Sequence, residues 1–285
     1  MIELKNMKIG IFDSGLGGLI IARAIRKAMP TYDYVYLGDT KRVPYGNRSH
    51  DAVFEFTKEA VEYLFKKEDC AIVIIACNTS SARSLRRIQQ EYLVEYNKTR
   101  RLMGESERKV LGVLIPTAEE AVKYERVGIL GTSGTIASNS FPEEIKKLGR
   151  VITPTSIKTK VFQNSAPMLV PLIEEGEKVL AKQFILKYLK PFSGKKLDAL
   201  VLGCTHYPFY KNEIKKTLGK KVVVLSQDEI IPKKLKSYLE KHSEIEKKLS
   251  KNKKAKILVT DITNNIIKLS GKWFGNKTKP ELIHL

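Results

Sequence analysis

Short runs rich in β-branched and aliphatic residues alternate with longer amphipathic stretches along most of this chain. Alternation of this kind is typical of α/β units whose parallel strands are buried on both faces. Because eight strands are many for one doubly wound sheet, the sequence predicts two smaller sheets, with the polar segment Tyr96–Lys109 joining the halves. The strand-like runs are Lys8–Phe12, Asp33–Gly38, Ala71–Ala76, Lys109–Leu114, Arg126–Gly131, Ala199–Gly203, Lys221–Leu225 and Lys256–Thr260.

Length and composition narrow the class of protein. The chain has 285 residues, of which 42% are hydrophobic and 29% are charged, as in ordinary globular proteins. No apolar run approaches the roughly 18 residues that span a bilayer, and the N-terminal segment lacks the apolar core of a signal peptide. Three cysteines, an odd number, fit a reducing compartment better than a disulfide framework. We therefore expect a cytoplasmic protein without membrane contact.

The formal net charge of +20 raises the question of a polyanionic partner. The lysines thicken toward the C-terminus, where they alternate with glutamates at helical spacing, as on a solvated helix surface. Neither a zinc-finger spacing nor an aromatic RNA-recognition motif accompanies them. We expect nucleic acid not to be the partner, and keep a basic nucleic-acid-binding protein, with salt-sensitive binding, as an alternative.

Two of the three cysteines stand directly after apolar strand-like runs. Cys77 lies in the sequence ACNTS and Cys204 in GCTHYP, so each is followed by short polar residues. A thiol there lies beside the positive end of a following helix, which lowers its pKa. Cys70, within a polar-to-apolar transition, is expected to be a small buried side chain. Since no C-x-x-C spacing is present, we predict no metal site.

The residues beside these cysteines have capping and catalytic chemistry. We expect Asn78 and Thr79 to cap the helix after Cys77, and Thr205 to cap the helix that follows it. Beside a strand-end cysteine, His206 is expected to tune the thiol or to bind a ligand. Small polar residues also follow other predicted strands, in the segments DSGLGG, GDTKRVPYG and GTSGT.

In open α/β sheets, ligands bind beyond the carboxyl ends of the strands, so these segments predict a polar small-molecule site. The segment DSGLGG lacks the last glycine of a dinucleotide fingerprint and the lysine of a P-loop. It is therefore either a tight turn or an anion site formed by backbone N–H groups at a helix N-terminus.

Two thiols on two similar halves suggest a specific chemistry. One thiolate could take a proton from a carbon while the other thiol gives one to the opposite face, which inverts a stereocentre. Each thiol needs a partner for its proton, and Asp13 and either Glu174 or Glu175 are candidates. A thiol redox protein is the alternative, which requires Cα atoms within about 7 Å, and the missing C-x-x-C disfavours it.

The segments FDSGLGGL, GDTKRVPYG, ACNTSSA, VPLIEEG and LGCTHYP, in this order, resemble the cofactor-independent glutamate racemases of the aspartate/glutamate racemase superfamily. The resemblance extends from about Lys8 to the end of the chain. It implies two Rossmann-like α/β domains with mainly parallel sheets facing across a central cleft. The first domain would comprise residues 1–109 plus 215–285, and the second, inserted domain residues 110–214.

The same resemblance implies an activity: interconversion of L- and D-glutamate, supplying D-glutamate for peptidoglycan. It implies a homodimer that needs neither pyridoxal phosphate nor metal. Aspartate racemase is the nearest rival, and the segments THYP and GDTKRVPYG favour glutamate. The polar insert before Lys109 and the lysine-rich tail could alter the dimer interface.

By the resemblance, Cys77 and Cys204 are the two acid/base thiols. Asp13 assists Cys77, and His206 with Glu174 assists Cys204. The positions that match amino-acid-binding residues are Asp13, Ser14, Tyr45, Gly46, Asn78, Thr79, Thr205 and His206. Residues of a further family segment near the cleft are Thr132 and Thr135. The chain departs from the family pattern, without loss of a catalytic group, at Ser80, Ala166 and Phe141.

Overall fold

The computed structural model describes residues 6–152, 158–275 and 278–285. Within them, the order of strands is β10-β9-β2-β1-β3-β4 in a six-stranded sheet and β6-β5-β7-β8 in a four-stranded sheet. Every strand pair is parallel, which confirms the predicted α/β class with two mainly parallel sheets. The strands are β1 (Lys8–Asp13), β2 (Tyr34–Gly38), β3 (Cys70–Ile75), β4 (Lys109–Gly112), β5 (Arg126–Gly131), β6 (Lys160–Ser165), β7 (Ala199–Gly203), β8 (Val223–Leu225), β9 (Ala255–Val259) and β10 (Pro280–Leu282).

Helices connect most of the successive strands. The α-helices are α1 (Gly18–Ala28), α2 (His50–Lys66), α3 (Asn78–Arg87), α4 (Leu93–Leu102), α5 (Leu114–Ala121), α6 (Ser133–Ala137), α7 (Ser140–Ile152), α8 (Leu169–Glu175), α9 (Lys178–Leu189), α10 (Lys211–Leu218), α11 (Gln227–Lys241), α12 (Ser243–Glu246) and α13 (Asn264–Phe274). Shorter helical turns are Tyr45–Asn47, Lys190–Phe192, Tyr207–Tyr210 and the π-helical Ile88–Tyr92. Every helix in the described ranges is too short or too polar to span a bilayer.

The central strands are apolar along their whole length because helices cover both faces of each sheet. All residues of β3 (CAIVII) and of β7 (ALVLG) are buried. The covering helices are amphipathic, and α2 turns Val53, Val61 and Leu64 inward. Burial of apolar surface contributes about 25 cal/mol per Å². These buried strands therefore hold their carboxyl ends, where the polar segments begin, in fixed positions.

The chain passes between the two sheets twice. Helix α5 carries it from β4 in the first sheet to β5 in the second, and α11 with α12 carries it back from β8 to β9. The two passing helices pack on each other, and Lys234 of α11 lies 2.8 Å from Glu119 and 3.1 Å from Glu120 of α5. The second sheet is therefore an insertion between strands of the first.

The polar segment Tyr96–Lys109 does not join the two sheets, contrary to the sequence prediction. It contains the end of α4 and returns to β4, which pairs with β3 in the first sheet. Its polar side chains make contacts within the segment. The side-chain amide of Asn97 donates to the backbone carbonyl of Arg108 at 3.0 Å and accepts from the backbone N–H of Arg108 at 2.8 Å. The chain leaves the first sheet only after Gly112.

The predicted domain boundaries remain a prediction. The chain changes from the first sheet to the second between Gly112 and Arg126, and returns to the first between Leu225 and Ala255.

Strands β6 and β10 are not predicted by the sequence, because both lie at sheet edges and are too polar or too short to show a strand pattern.

Gly46 and Gly134 lie against each other where the two sheet units meet. A Cβ added at Gly134 would stand 2.8 Å from the carbonyl oxygen of Gly46 and 3.1 Å from its Cα. Nearby, the hydroxyl of Ser140 donates to the carbonyl of Ala82 at 2.8 Å, which also joins the two units. A side chain at position 134 would therefore push the two units apart.

We expect Gly134→Ala to lower the free energy of unfolding by about 1–3 kcal/mol, since its methyl group meets backbone rather than a movable side chain. Gly149→Ala, within α7, is the matched control, because an added Cβ there meets nothing within 4 Å. It should raise the free energy of unfolding by about 0.5–1 kcal/mol. Urea unfolding followed by circular dichroism measures both, and wild-type stability of Gly134→Ala would contradict the close approach.

Candidate active site

A cavity of about 440 Å³ lies between the two sheet units. Its walls come from segments that follow β1, β2 and β3 of the first sheet and β5, β6 and β7 of the second, so the carboxyl ends of six strands face it. The lining residues are Ser14, Gly15, Val43, Pro44, Tyr45, Gly46, Asn47, Cys77, Asn78, Thr79, Thr132, Ser133, Pro167, Met168, Val170, Pro171, Glu174, Cys204, Thr205 and His206.

Both strand-end thiols line this cavity. Cys77 follows β3 of the first sheet and Cys204 follows β7 of the second, and each is 6% exposed. Cys70 is completely buried and does not line the cavity. All three are free thiols. The cavity therefore has one thiol from each sheet.

The Cys77 thiol lies at the N-terminus of α3 and is itself the N-cap residue. Its sulfur accepts a hydrogen bond from the backbone N–H of Ser80 at 3.4 Å, and the Ser14 hydroxyl lies 3.3 Å away. Burial raises the pKa of the Cys77 thiol, the charge of Asp13 raises it further, and the contacts with Ser14 and Ser80 oppose both. The expected lowering of this pKa by the helix end is therefore wrong, because burial outweighs it.

Asp13, the last residue of β1, connects the two sides of the cavity. One carboxylate oxygen accepts the N–H of Gly15 at 3.1 Å, and the other accepts the hydroxyl of Thr205 at 3.4 Å. Burial raises the pKa of the Asp13 carboxyl, against the lowering effects of His206 and of these hydrogen bonds. Thr205 therefore bonds across the cleft instead of capping the helical turn that follows it.

His206 bridges Cys204 and an acidic residue. Its Nδ1 lies 3.9 Å from the sulfur of Cys204, and its Nε2 lies 2.9 Å from Oε1 of Glu174. Of the two glutamates that the sequence offers, Glu174 lines the cavity, whereas Glu175 is exposed outside it. The rings of His206 and Trp273 are nearly perpendicular, with their centroids 5.6 Å apart.

The environment of His206 favours its protonated form. Burial lowers the pKa of the imidazole, but the hydrogen bonds and charges of Cys204 and Glu174 outweigh burial and raise the pKa to about 10. The imidazolium formed at neutral pH has N–H donors on both sides of the ring. One is directed at the Glu174 carboxylate and the other at the sulfur of Cys204.

Polar, uncharged side chains form another part of the lining. The hydroxyl of Thr79 lies 2.9 Å from that of Thr132, which lies 3.0 Å from that of Thr135, so hydroxyls of both units meet. None of the described lining residues is lysine or arginine, so the charge of +20 lies elsewhere. An acidic ligand would be held by hydroxyl, amide and backbone N–H groups and by the His206 imidazolium.

Tyr45, which the resemblance matches to an amino-acid-binding position, lines the cavity with its hydroxyl already bonded elsewhere. Its hydroxyl donates to Asp39, which is fully buried and also accepts from Arg42 at 2.5 Å and Thr260 at 2.7 Å. Contact of Tyr45 with a ligand would therefore come from its backbone or its ring. Gly46, the next residue, lines the cavity directly.

Sequence reasoning did not single out several residues of the site. Asp39 had a signal, its place within GDTKRVPYG, but its burial and partners depend on the fold. Val43, in the same segment, and Met168 form apolar walls from the two units, and neither side chain has a polar group that indicates a site. Among the described residues, no cluster of three or more His, Cys, Asp or Glu side chains is arranged to hold a metal ion.

Glu174→Gln should lower the pKa of His206 from about 10, because the variant removes the charge that favours the imidazolium. Protonated His206 stabilises the wild-type fold fully below the unfolded pKa of about 6.5, and this stability is lost as pH rises toward about 10. NMR titration of the histidine rings measures the shift. Glu244→Gln, which removes the exposed partner of His242, is the control and should leave His206 unchanged. An unshifted His206 titration in Glu174→Gln would contradict the assignment.

Known proteins match this chain over nearly its whole length. The model of the Asp/Glu/Hydantoin racemase family matches residues 20–227. A glutamate racemase of Aquifex aeolicus is 35% identical over 281 residues, which cover 97% of this chain and 97% of that protein.

Solved structures give the same result. A glutamate racemase isoform from Bacillus anthracis superposes with a TM-score of 0.84 at 30% identity and covers 99% of both chains. A glutamate racemase from Francisella tularensis in complex with D-glutamate superposes with a TM-score of 0.82 at 29% identity, covering 99% of this chain and 98% of that one. The family predicted from the sequence motifs is confirmed: the chain belongs to the Asp/Glu/Hydantoin racemase family, among its glutamate racemases.

Proposed function

We propose that this protein interconverts L- and D-glutamate by proton transfer at the α-carbon, with Cys77 and Cys204 as the acid/base pair. The observation that carries the proposal is one cavity lined by a thiol from each of two facing sheets. Inversion of a stereocentre needs a proton acceptor on one face of the carbon and a proton donor on the other. The glutamate racemases among the relatives, one of them holding D-glutamate, support glutamate as the substrate.

The two thiols would exchange protons with different partners. The raised pKa of Cys77 keeps its proton on sulfur, so this thiol suits donation to the carbon, and Asp13 is its buried neighbour. On the other side, His206 can return a proton to Cys204 through Nδ1 while Glu174 holds the ring at Nε2. Each direction of the reaction would use one side as base and the other as acid.

We further propose that the amino acid is held by neutral groups around the thiols. Ser14, Gly46, Asn78, Thr79 and Thr205 all line the cavity and offer hydroxyl, amide or backbone donors. Charge-assisted hydrogen bonds from several such donors to a carboxylate are strong in a cavity shielded from water. Thr132, which also lines the cavity, would join this set, and Thr135 would support it through the contact between their hydroxyls.

Proton exchange in D₂O tests the proposal. The wild-type protein, incubated with L-glutamate and no added pyridoxal phosphate, should lose optical rotation and incorporate α-deuterium. Cys77→Ala and Cys204→Ala should each lower racemisation by more than about 1,000-fold, because either change removes one of the two proton carriers. Cys70→Ala is the matched control, since that thiol is buried outside the cavity and its loss should leave the rate near wild type.

The same assay with aspartate at matched concentration separates the two closest activities, and glutamate should react faster. Folded wild-type protein with no α-exchange of either substrate would exclude the racemase proposal. Full racemisation by either Cys77→Ala or Cys204→Ala would exclude the two-thiol mechanism while leaving the activity in place.

We also propose that the protein works without a cofactor, as a homodimer in the cytoplasm, supplying D-glutamate for peptidoglycan. Exposed apolar side chains are available for an interface between two copies, among them Leu102 at the end of α4, which is 83% exposed, and Val179 on α9, which is 79% exposed. Light scattering of the purified protein should then give twice the chain mass of 32.3 kDa. A mass equal to one chain at micromolar concentration would refute the dimer.

A further inference from the structure

Asn78 and Gln227 form a buried pair of reciprocal amide hydrogen bonds. The side-chain nitrogen of Asn78 donates to the carbonyl oxygen of Gln227, and the nitrogen of Gln227 donates to the oxygen of Asn78, both at 2.7 Å. Asn78 is 2% exposed and Gln227 is 1% exposed. Amides paired in this way cannot rotate one at a time, since rotation of either alone would face like atoms together.

A third residue fixes the direction of this pair. The nitrogen of Gln227 also donates to the hydroxyl of Thr117 at 3.3 Å, and that hydroxyl donates its own hydrogen to the carbonyl of Val113 at 2.6 Å. Because its hydrogen is used for Val113, the Thr117 oxygen faces Gln227 as an acceptor. The network therefore determines which end of the Gln227 amide, and so of the Asn78 amide, points in each direction.

The network joins the helix that follows Cys77 to the two helices that connect the sheets. Asn78 is the first residue of α3, directly after Cys77, and lines the cavity. Thr117 is on α5 and Gln227 is the first residue of α11, the two helices that carry the chain between the sheets. Thus, both passages between the sheets contribute a side chain that holds the helix end bearing Cys77.

The amide of Asn78 also keeps binding capacity for a ligand. A side-chain amide has two N–H groups and an oxygen that can accept two hydrogen bonds, and the bonds with Gln227 use one of each. The remaining N–H and lone pair belong to a residue on the cavity wall. Gln227 itself does not line the cavity, so it can act only through Asn78.

We propose that Gln227, supported by Thr117, is a positioning residue for racemisation. It holds Asn78, and with it the N-terminus of α3 that bears Cys77, in a fixed position relative to the other walls of the cavity. This inference rests on the proposed function. It assigns no contact with substrate to Gln227. The step that Gln227 affects is the proton transfer between the substrate and Cys77.

Gln227→Met tests the inference, because methionine is of similar length and cannot form the amide pair. We expect about a tenfold loss of kcat/KM, the size of effect that one or two lost buried hydrogen bonds produce. Thr117→Val should cause a smaller loss, about threefold, since it removes only the support behind Gln227. Circular dichroism and thermal unfolding establish that each variant is folded.

A matched control separates positioning from loss of a buried hydroxyl. Thr57 is also fully buried, and its hydroxyl also donates to the carbonyl four residues earlier, Val53, at 2.6 Å. Thr57→Val therefore loses the same bond as Thr117→Val without touching Gln227. Its kcat/KM should equal that of the wild type.

Substrate isotope effects report which proton transfer is affected. With α-deuterated L- and D-glutamate measured separately, Gln227→Met should increase the isotope effect for the enantiomer that gives its proton to Cys77 and decrease it for the other. Partial loss of folded enzyme would lower both rates and leave both isotope effects unchanged. Wild-type kcat/KM in folded Gln227→Met, or a lower value with unchanged isotope effects, overturns the inference.

A second readout works without turnover. The ratio of the alkylation rates of Cys77 and Cys204 by iodoacetamide, measured by mass spectrometry without substrate, should rise at least about threefold in Gln227→Met, because the first turn of α3 loosens. Thr57→Val should leave this ratio unchanged. Failure of the wild-type protein to racemise glutamate would refute the proposed function, and the ratio would then decide the positioning role alone: an unchanged ratio in Gln227→Met overturns it.

Discussion

Parallel pairing of the strands determines where the functional groups of this protein lie. When every strand of a sheet runs the same way, all carboxyl ends, and the polar segments that follow them, meet at one edge. Here two such edges face a single cavity, and each delivers a cysteine. The apolar sequences of β3 and β7 are thus connected with the site, since burial of these strands fixes the positions of Cys77 and Cys204, one from each sheet unit.

Burial favours the uncharged form on both sides of the cavity, but it decides the protonation state on only one of them. On the side of Cys77 it prevails, so the pKa values of both the thiol and Asp13 are raised. On the side of Cys204, the partners of His206 prevail over burial, and the imidazole holds its proton. The two thiols therefore have different neighbours, although the sequence presents them as copies of one pattern. A reaction that is symmetric in its substrates would be performed by an asymmetric pair.

The sequence predicted most of the fold and most of the cavity wall. Runs such as AIVIIA identified the central strands because their burial leaves a continuous apolar pattern, and the ends of those runs identified the cavity. The edge strand β6, with its sequence KVFQNS, has no such pattern. The division into domains and the catalytic roles of the site residues remain predictions.

What the sequence could not supply is the set of contacts between distant segments. Gln227 lies 149 residues after Asn78 and has no motif of its own. Only the folded structure, in which α11 packs against α5, shows that the side chains of Asn78 and Gln227 meet. The bond from Thr205 to Asp13, 192 residues apart, is of the same kind. Local propensity favours a threonine cap at such a position, and the tertiary contact overrides it.

The central claim is that the two thiols face opposite sides of the same carbon. A crystal structure of this protein with glutamate bound tests it most directly. The account predicts the sulfurs of Cys77 and Cys204 on opposite faces of the α-carbon, each within about 4 Å of it, close to the separation of reacting atoms. Both sulfurs on one face, or glutamate bound outside the cavity between the sheets, would contradict it.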